Sequence, residues 1–517
     1  MPNQARQPNI LLVLTDQHSP RVAGFAGDAV VRTQHLDALS SEAIQFDTAV
    51  CASPVCTPSR MCMLTGMEAH RCAAWNNHWV IFPEHLTWPA HFAAHGYRTG
   101  LVGKMHFGGR DQMQGFQARP YGDMRHGLGH QPDPIDLFPA YSGASGAGIT
   151  EIPESLLQEV VVTRESLALL LEHQDREPDV PWFVCASYSR PHSPFTAPGR
   201  YVRHYRGRVP PIELPFDYRD RLDPFSQQVG GLESGNELSA EQSLRAREAY
   251  YACVDFVDDC IGELLEGLTA AGALDNTIVI YTSDHGEMAG VHGLWGKVVY
   301  FEPSVGVPLL MRGPGIREGH HVTRHPISLM DLYPTTCALA GLPVPAGLDG
   351  VDFSGVLADP ESAAAPRDFA PSAYYAYGVR IRGGIHAPED EPHRAMRLVQ
   401  DSDWKYVEIE GGEPLLFDRL NDPGETVNLA AQPEHASRCQ NMREALFRNF
   451  GWEQVHEQLA KDRERLPEFF SGQKPSTPNQ YMLPDGRVFD AEGDLYGARW
   501  LDMPEHDGGG SIPQQFG

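Results

Sequence analysis

The chain has 517 residues, of which 41% are hydrophobic and 21% are charged, and this is an ordinary globular composition. Its net charge of −27 at pH 7 excludes a general binder of nucleic acid or anionic membrane, so an anionic substrate would need a local cationic pocket. The length is too great for one small core and favours a large domain plus a smaller one.

The N-terminal segment, residues 1–8, is short and runs directly into an apolar stretch. We see no signal peptide there, and no apolar run approaches the roughly 20 residues of a membrane helix. We therefore expect a cytoplasmic protein with no membrane partner. The nine cysteines have neither zinc-type doublets nor the spacing of a disulfide scaffold, and we expect most of them to be buried thiols.

Short apolar runs predict buried strands, and apolar residues at helical spacing predict helices. The predicted strands are Asn9–Thr15, Thr99–Val102, Trp182–Ser187, Thr277–Thr282 and Val307–Met311. The predicted helices are Ser155–His173 and Ser239–Ala271. This alternation indicates an α/β domain with a large, mainly parallel sheet sandwiched by helices.

Polar residues follow four of the predicted strands, namely Asp16, Lys104, His192 and Asp284. Ligands of open α/β sheets collect at the carboxyl ends of the strands. We therefore expect these four side chains, which come from distant parts of the chain, to belong to one site.

The composition shifts at Asp359–Pro371, which we interpret as a linker. Beyond it the sequence predicts a smaller antiparallel sheet and a helix, at Met396–Gln400, Lys405–Ile409, Leu415–Asp418 and about Ser437–Phe450. We therefore divide the chain into a catalytic α/β domain (1–370), a smaller α+β subdomain (371–470) and a tail (471–517). Aromatic residues in the polar tail favour docking on a neighbouring subunit.

The segment Cys56–Gly66 reads CTPSRMCMLTG. A loop that opens a helix points free N–H groups at an anion, and Arg60 adds a fork of donors for an alkoxide or sulfate oxygen. The alternative is that Cys56 is a buried thiol in the first turn of a helix. C-x-P-S-R followed by L-T-G resembles the type I sulfatase family of the alkaline phosphatase superfamily. The resemblance implies an alkaline phosphatase-like fold and the conversion of Cys56 to formylglycine by a formylglycine-generating enzyme, so that the hydrated aldehyde attacks a sulfate ester.

The same resemblance implies one divalent metal ion, usually calcium, with manganese or magnesium as options. Its ligands would be Asp16, Asp284, His285 and the oxygen of modified Cys56, a donor set suited to a hard cation. Each aspartate alone could instead cap a turn or helix. Gln17 stands where many relatives have a second acidic residue or Asn, which resembles the choline sulfatase and phosphonate monoester hydrolase branches. We leave Gln17 open as a ligand or a substrate contact.

Three further motifs resemble those of the family: G-K-x-H, P-H-x-P-F and H-G-x-x-G-K. The resemblance implies that Lys104 neutralises charge, and that His106 deprotonates the sulfated hemiacetal, which expels sulfate. It also implies that His192 contacts the sulfate and protonates the leaving oxygen, while Lys297 binds a sulfate oxygen. One of Asn76 and Asn77 matches an active-site Asn of related sulfatases, and we assign Asn77 to it.

The leading hypothesis is a sulfatase that hydrolyses a small-molecule sulfate ester to an alcohol and inorganic sulfate. The alternative from the same site is a phosphonate monoester or phosphodiester hydrolase, and a third hypothesis is a non-catalytic anion-binding protein. The branch resemblance also implies a homo-oligomer, a dimer or tetramer. No motif identifies the organic half of the substrate, for which choline is one candidate.

Overall fold

The structure is a computed structural model. It describes residues 6–77, 79–108, 111–122, 143–215, 217–218, 220–229, 238–322, 324–375, 395–470, 480–482 and 488–490. Its strands are, in chain order, β1 (Asn9–Asp16), β2 (Ile44–Phe46), β3 (Ala49–Val50), β4 (Arg98–Gly103), β5 (Ala118–Tyr121), β6 (Gly148–Ile149), β7 (Trp182–Pro191), β8 (Thr196–Ala197), β9 (Thr277–Ser283), β10 (Leu309–Arg312), β11 (His320–Val322), β12 (Ile327–Ser328), β13 (Ala370–Tyr375), β14 (Ala395–Gln400), β15 (Trp404–Ile409), β16 (Leu415–Asp418), β17 (Gln480–Met482) and β18 (Val488–Asp490). Its α-helices are α1 (Gln34–Glu42), α2 (Cys56–Thr65), α3 (Trp88–Ala94), α4 (Gln158–Arg176), α5 (Gly199–Tyr205), α6 (Pro224–Val229), α7 (Ala240–Ala270), α8 (Glu302–Val305), α9 (Leu332–Leu339), α10 (Ser354–Ala358), α11 (Ala436–Phe447) and α12 (Trp452–Phe470).

The main sheet has eight strands in the order β11-β2-β10-β9-β1-β7-β4-β5. The five strands from β9 to β5 run parallel, and β10 pairs antiparallel with both of its neighbours. All residues of the central strand β1 are buried, which is why its sequence is almost continuously apolar. The predicted α/β class with a mainly parallel sheet is confirmed.

Helices cover both faces of this sheet. Because successive side chains of a strand point to opposite faces, those of β1 enter two different cores. Leu11 and Val13 pack in the core that contains α4 and α7, whereas Ile10 and Leu12 pack in the core that contains α2 and α9. Both long predicted helices are present, and α7 begins with a capping box at Ser239.

The C-terminal part forms a smaller antiparallel sheet in the order β13-β14-β15-β16, as predicted in kind. Strand β13 was not predicted, because its first residues, Ala370 and Pro371, were assigned to the linker. This sheet contributes to the same core as α2. The division into three domains stays a prediction.

Most of the tail, including Tyr496 and Trp500, lies outside the described residues, so its docking stays a prediction. The hairpin of β17 and β18 is the described part. Among the helices that the structure describes, none is long and apolar enough to cross a membrane. All nine cysteines lie in described segments as free thiols, and eight of them are buried.

Candidate active site

Four neighbouring parallel strands end at one edge of the main sheet, and the order β9-β1-β7-β4 decides which residues meet there. The residues at these ends are, across the sheet, Asp284, Asp16, His192 and Lys104. Lys104 Nζ lies 2.6 Å from Asp16 Oδ2, and His192 Nε2 lies 3.9 Å from Asp16 Oδ1. The topology therefore brings together four side chains that are far apart in sequence.

Helix α2 delivers Cys56 to this edge as its first residue. Every residue of α2 is buried, because the helix packs inside the core. The backbone N–H of Thr57 donates to Asn77 Oδ1 at 3.0 Å. Asn77 thus satisfies one of the free donors at the start of the helix and stands next to Cys56.

Four buried ligand-type side chains form a compact cluster. One donor atom from each of Asp16, Cys56, Asp284 and His285 lies within 4.8 Å of the other three. Cys56 Sγ is 3.3 Å from His285 Nε2 and 3.8 Å from Asp16 Oδ1. His285 Nδ1 donates to the carbonyl of Gly286 at 3.0 Å, so its Nε2 keeps a lone pair towards the cluster. Two carboxylates and such an imidazole fit a divalent cation.

The guanidinium of Arg60 lies behind the two aspartates and is fully buried. Its Nη2 is 3.0 Å from Asp16 Oδ2 and its Nε is 2.7 Å from Asp284 Oδ2. Its Nη1 also donates to Ser187 Oγ at 3.0 Å. Arg60 therefore binds one oxygen of each carboxylate and leaves the other oxygen of each to the cluster.

The carboxyl groups of Asp16 and Asp284 differ in pKa. Burial raises the pKa of Asp284 to about 6, and the nearby Arg60 offsets this only in part. Burial acts on Asp16 as well, but the cations of Lys104 and Arg60 hold the pKa of Asp16 well below its usual range. A cation in the cluster would favour the ionised form of both groups.

Lys297 is buried and lies between two polar side chains. Its ammonium donates to Gln17 Oε1 and, at 2.9 Å, to His192 Nε2. Gln17 Nε2 donates to Glu287, which fixes the orientation of the Gln17 amide. In this arrangement Gln17 contacts Lys297 through its oxygen.

His106 contacts the first turn of α2. Its carbonyl accepts the hydroxyl of Thr57 at 2.8 Å, and its side chain helps to lower the pKa of Cys56. Its backbone has φ 58°, a left-handed conformation that few non-glycine residues adopt. The contact with Thr57 holds this backbone beside the start of α2.

The positive charge of the site lowers the pKa values of Cys56 and His192. Burial raises the pKa of the Cys56 thiol, but Lys297, Lys104 and His285 together lower it well below its usual value. Burial lowers the pKa of His192, and the two lysines lower it further. An anion is therefore the ligand that this pocket stabilises best.

Comparison with known proteins identifies the fold and the family. A model described as "Sulfatase" matches residues 8–342 of the chain. The chain belongs to the sulfatase family. A second model, "N-sulphoglucosamine sulphohydrolase, C-terminal", matches residues 290–450.

Among similar sulfatases, a choline-sulfatase from Rhizobium meliloti is 31% identical, with 83% of each chain covered. An ulvan-active sulfatase from Formosa agariphila is 30% identical and covers 84% of this chain and 79% of its own. The phosphonate monoester hydrolase of Agrobacterium radiobacter has the same fold, with a TM-score of 0.72 at 22% identity and coverage of 94% and 99%.

Sequence reasoning missed Glu287, a buried supporting residue of this sulfatase site. Glu287 accepts the N–H groups of Ala289 at 2.8 Å and Gly296 at 2.7 Å, besides the Gln17 amide. Burial raises its pKa to about 7. Its position in the sequence could have indicated this role, because Glu287 directly follows Asp-His-Gly at the end of a buried strand.

Proposed function

We propose that the chain is a sulfatase that hydrolyses a sulfate ester through a formylglycine formed from Cys56. The observation that carries this proposal is the cluster of Asp16, Cys56, Asp284 and His285, which faces the cations Lys104 and Lys297. A tetrahedral anion between them would be held by positive charge while residue 56 reaches its central atom.

Asp16, Asp284, His285 and the modified side chain of residue 56 would hold one divalent ion, and calcium fits this mostly oxygen donor set. When bound, the ion would supply Lewis-acid activation of the nucleophilic oxygen of residue 56. Arg60 would keep both carboxylates oriented, because its fork binds the outer oxygen of each.

Lys297 and Lys104 would bind the non-bridging sulfate oxygens, and His192 would protonate the leaving oxygen. His192 Nδ1 donates to the carbonyl of Ser193 at 2.6 Å, so Nε2 is the atom that exchanges the catalytic proton. Negative charge on a bound ester favours the imidazolium form. Lys297 would then give up its hydrogen bond to His192 and bind a sulfate oxygen instead.

Release of sulfate requires a base beside residue 56. His106 is suited to that role, because its backbone carbonyl accepts the hydroxyl of Thr57, which places residue 106 beside residue 56. Asn77 is suited to substrate contact next to the start of α2, and Gln17 to holding Lys297 in place.

The second candidate is a phosphonate monoester or phosphodiester hydrolase with the same residues. Gln17, next to Asp16, supports this second candidate, because many sulfatases have an acidic residue or Asn at that position. Sulfur and phosphorus esters share a tetrahedral centre, so one site can accept both. In either case we propose a cytoplasmic enzyme, matured by a formylglycine-generating enzyme, that acts as a homo-oligomer.

The test is a comparison of kcat/KM for an aryl sulfate, choline sulfate, a phosphonate monoester and a phosphodiester, with enzyme coexpressed with a formylglycine-generating enzyme. We expect a sulfate ester to exceed both phosphorus esters by about 100-fold or more, because the site must discriminate between charge distributions in the transition state. A phosphonate monoester as the best substrate would replace the proposal with the second candidate. No turnover of any of the four would contradict both.

A further inference from the structure

A turn of the C-terminal part contacts both ends of the segment that carries Lys297. We call residues 291–302 the Lys297 loop. At one end, His292 Nε2 donates to the carbonyl of Gly424 at 2.8 Å. At the other end, the N–H of Glu302 donates to Glu425 Oε2 at 2.6 Å. Lys297 lies five residues from each of these contacts.

Internal hydrogen bonds hold the turn that makes these contacts. Asp422 Oδ2 accepts the N–H groups of Thr426 at 2.6 Å and Val427 at 2.9 Å, and the Asp422 carbonyl accepts the N–H of Glu425 at 2.9 Å. Glu425 is buried and has φ 54°. A rigid turn of this kind holds Gly424 and Glu425 at fixed places against the Lys297 loop.

Buried charges reinforce the contact at Glu302. Lys405, which is fully buried on β15, lies 2.5 Å from Glu425 Oε1 and 3.1 Å from Glu302 Oε2. It also donates to the carbonyl of Tyr300 at 2.9 Å. Arg419 lies 2.8 Å from Glu302 Oε1. Two carboxylates share two cations here, so removal of one carboxylate leaves an excess of buried positive charge.

The Lys297 loop is strained and therefore needs such support. Val298, next to Lys297, has φ 72°, which is an outlier for a β-branched residue, and His292 has φ 54°. Conformations of this kind persist only where the surroundings determine them fully. The N–H of Val298 donates to the carbonyl of Pro54 at 3.1 Å, two residues before Cys56, so this contact also sets the distance between Lys297 and the nucleophile.

We propose that Glu425 is a positioning residue of the sulfatase site: together with Lys405 it holds the Lys297 loop so that the Lys297 ammonium reaches the bound anion. This inference rests on the proposed function and deepens it. It assigns a role in the reaction to a turn of the C-terminal part that touches no reacting atom. The opposing explanation is that Glu425 only joins the two parts of the protein.

A double-mutant cycle separates these explanations. We expect Glu425→Gln to lower kcat/KM by about 10- to 100-fold, with most of the change in KM, because a misplaced cation captures the anion poorly. Introduced into Lys297→Ala, the same substitution should cause no further loss, because the group that it positions is already absent. Multiplicative losses would overturn the proposal.

Glu68→Gln is the matched control. It breaks the ion pair with Arg397 of β14, which also joins the C-terminal sheet to the main domain but does not touch the Lys297 loop. We expect it to lower Tm as Glu425→Gln does and to leave kcat/KM within about twofold of the wild type. An equal loss of kcat/KM in both variants would contradict the positioning role.

Two further measurements keep the test decisive. If Glu425→Gln does not fold, His292→Asn removes the contact with Gly424 while keeping a residue that tolerates a left-handed backbone. The same cycle with this variant then supports or overturns the proposal. The affinity for inorganic sulfate, measured by calorimetry on the same variants, reports on Lys297 without turnover. A wild type that hydrolyses no ester contradicts the proposed function, whereas the sulfate affinities still test Glu425.

Discussion

At the residue scale, the site is organised by the two aspartates that share Arg60. The guanidinium takes one oxygen of Asp16 and one of Asp284, and the other oxygens face His285 and Cys56. Two buried carboxylates so close together repel each other unless positive charge lies on both sides. Arg60 supplies that charge on one side, and the arrangement predicts a cation on the other.

Removal of divalent ions should therefore destabilise the protein and abolish turnover. We expect exhaustive chelation to lower Tm by about 5 °C, because an ion that binds only the folded state stabilises it by mass action. Calcium added back should restore both properties. Asp284→Asn provides the comparison, because its Tm should respond to chelation much less than that of the wild type. An unchanged Tm and unchanged activity after chelation would contradict the cation site.

At the scale of elements, strand order and one helix start explain how the site assembles. The order β9-β1-β7-β4 aligns four strand ends, and α2 adds Cys56 from the face of the sheet. The sequence predicted these strands because each is a short, buried apolar run. It did not predict β13, whose Ala and Pro residues resemble a loop, nor the contacts of Glu302 and Glu425, because ion pairs between distant segments leave no periodic pattern.

The pairing of Glu302, the first residue of α8, with β15 and the loop after β16 predicts a specific pH dependence of stability. Burial opposes ionisation of Glu302, but Arg419 and Lys405 lower its pKa from 4.5 to about 2. Between these two values the unfolded chain binds a proton that the folded protein does not. Stability therefore falls as the pH falls through this window, by on the order of 3 kcal/mol from this group.

In Glu302→Gln this contribution is absent, so the free energy of unfolding in urea should fall less between about pH 5 and about pH 3 than in the wild type. Glu42→Gln is the control, because Glu42 pairs with Arg312 at the surface and such a pair contributes little. A slope for Glu302→Gln equal to that of the wild type would contradict the assigned ion pairs.

At the scale of the whole molecule, an acidic chain concentrates positive charge at one place. The net charge of −27 repels anions in general, whereas Lys104 and Lys297 lie at the carboxyl edge of the sheet, where their charges face the residue 56 side chain. The alternation of strands and helices was enough to predict the α/β class, and the ordered motifs were enough to propose this set of residues. They did not predict Glu287, although it directly follows Asp-His-Gly, and they could not predict Glu425, because it acts through other residues and belongs to no motif with its own chemistry.

The most direct test of the account is the turnover of Cys56→Ala beside the wild type, both coexpressed with a formylglycine-generating enzyme. Mass spectrometry of the wild type should find that one oxygen has replaced the sulfur of residue 56 and that two hydrogens are lost. We expect the variant to keep its fold, by circular dichroism and Tm, and to lose at least about a thousandfold in kcat on the best sulfate ester. A folded Cys56→Ala protein that turns over the ester at the wild-type rate would contradict the central claim.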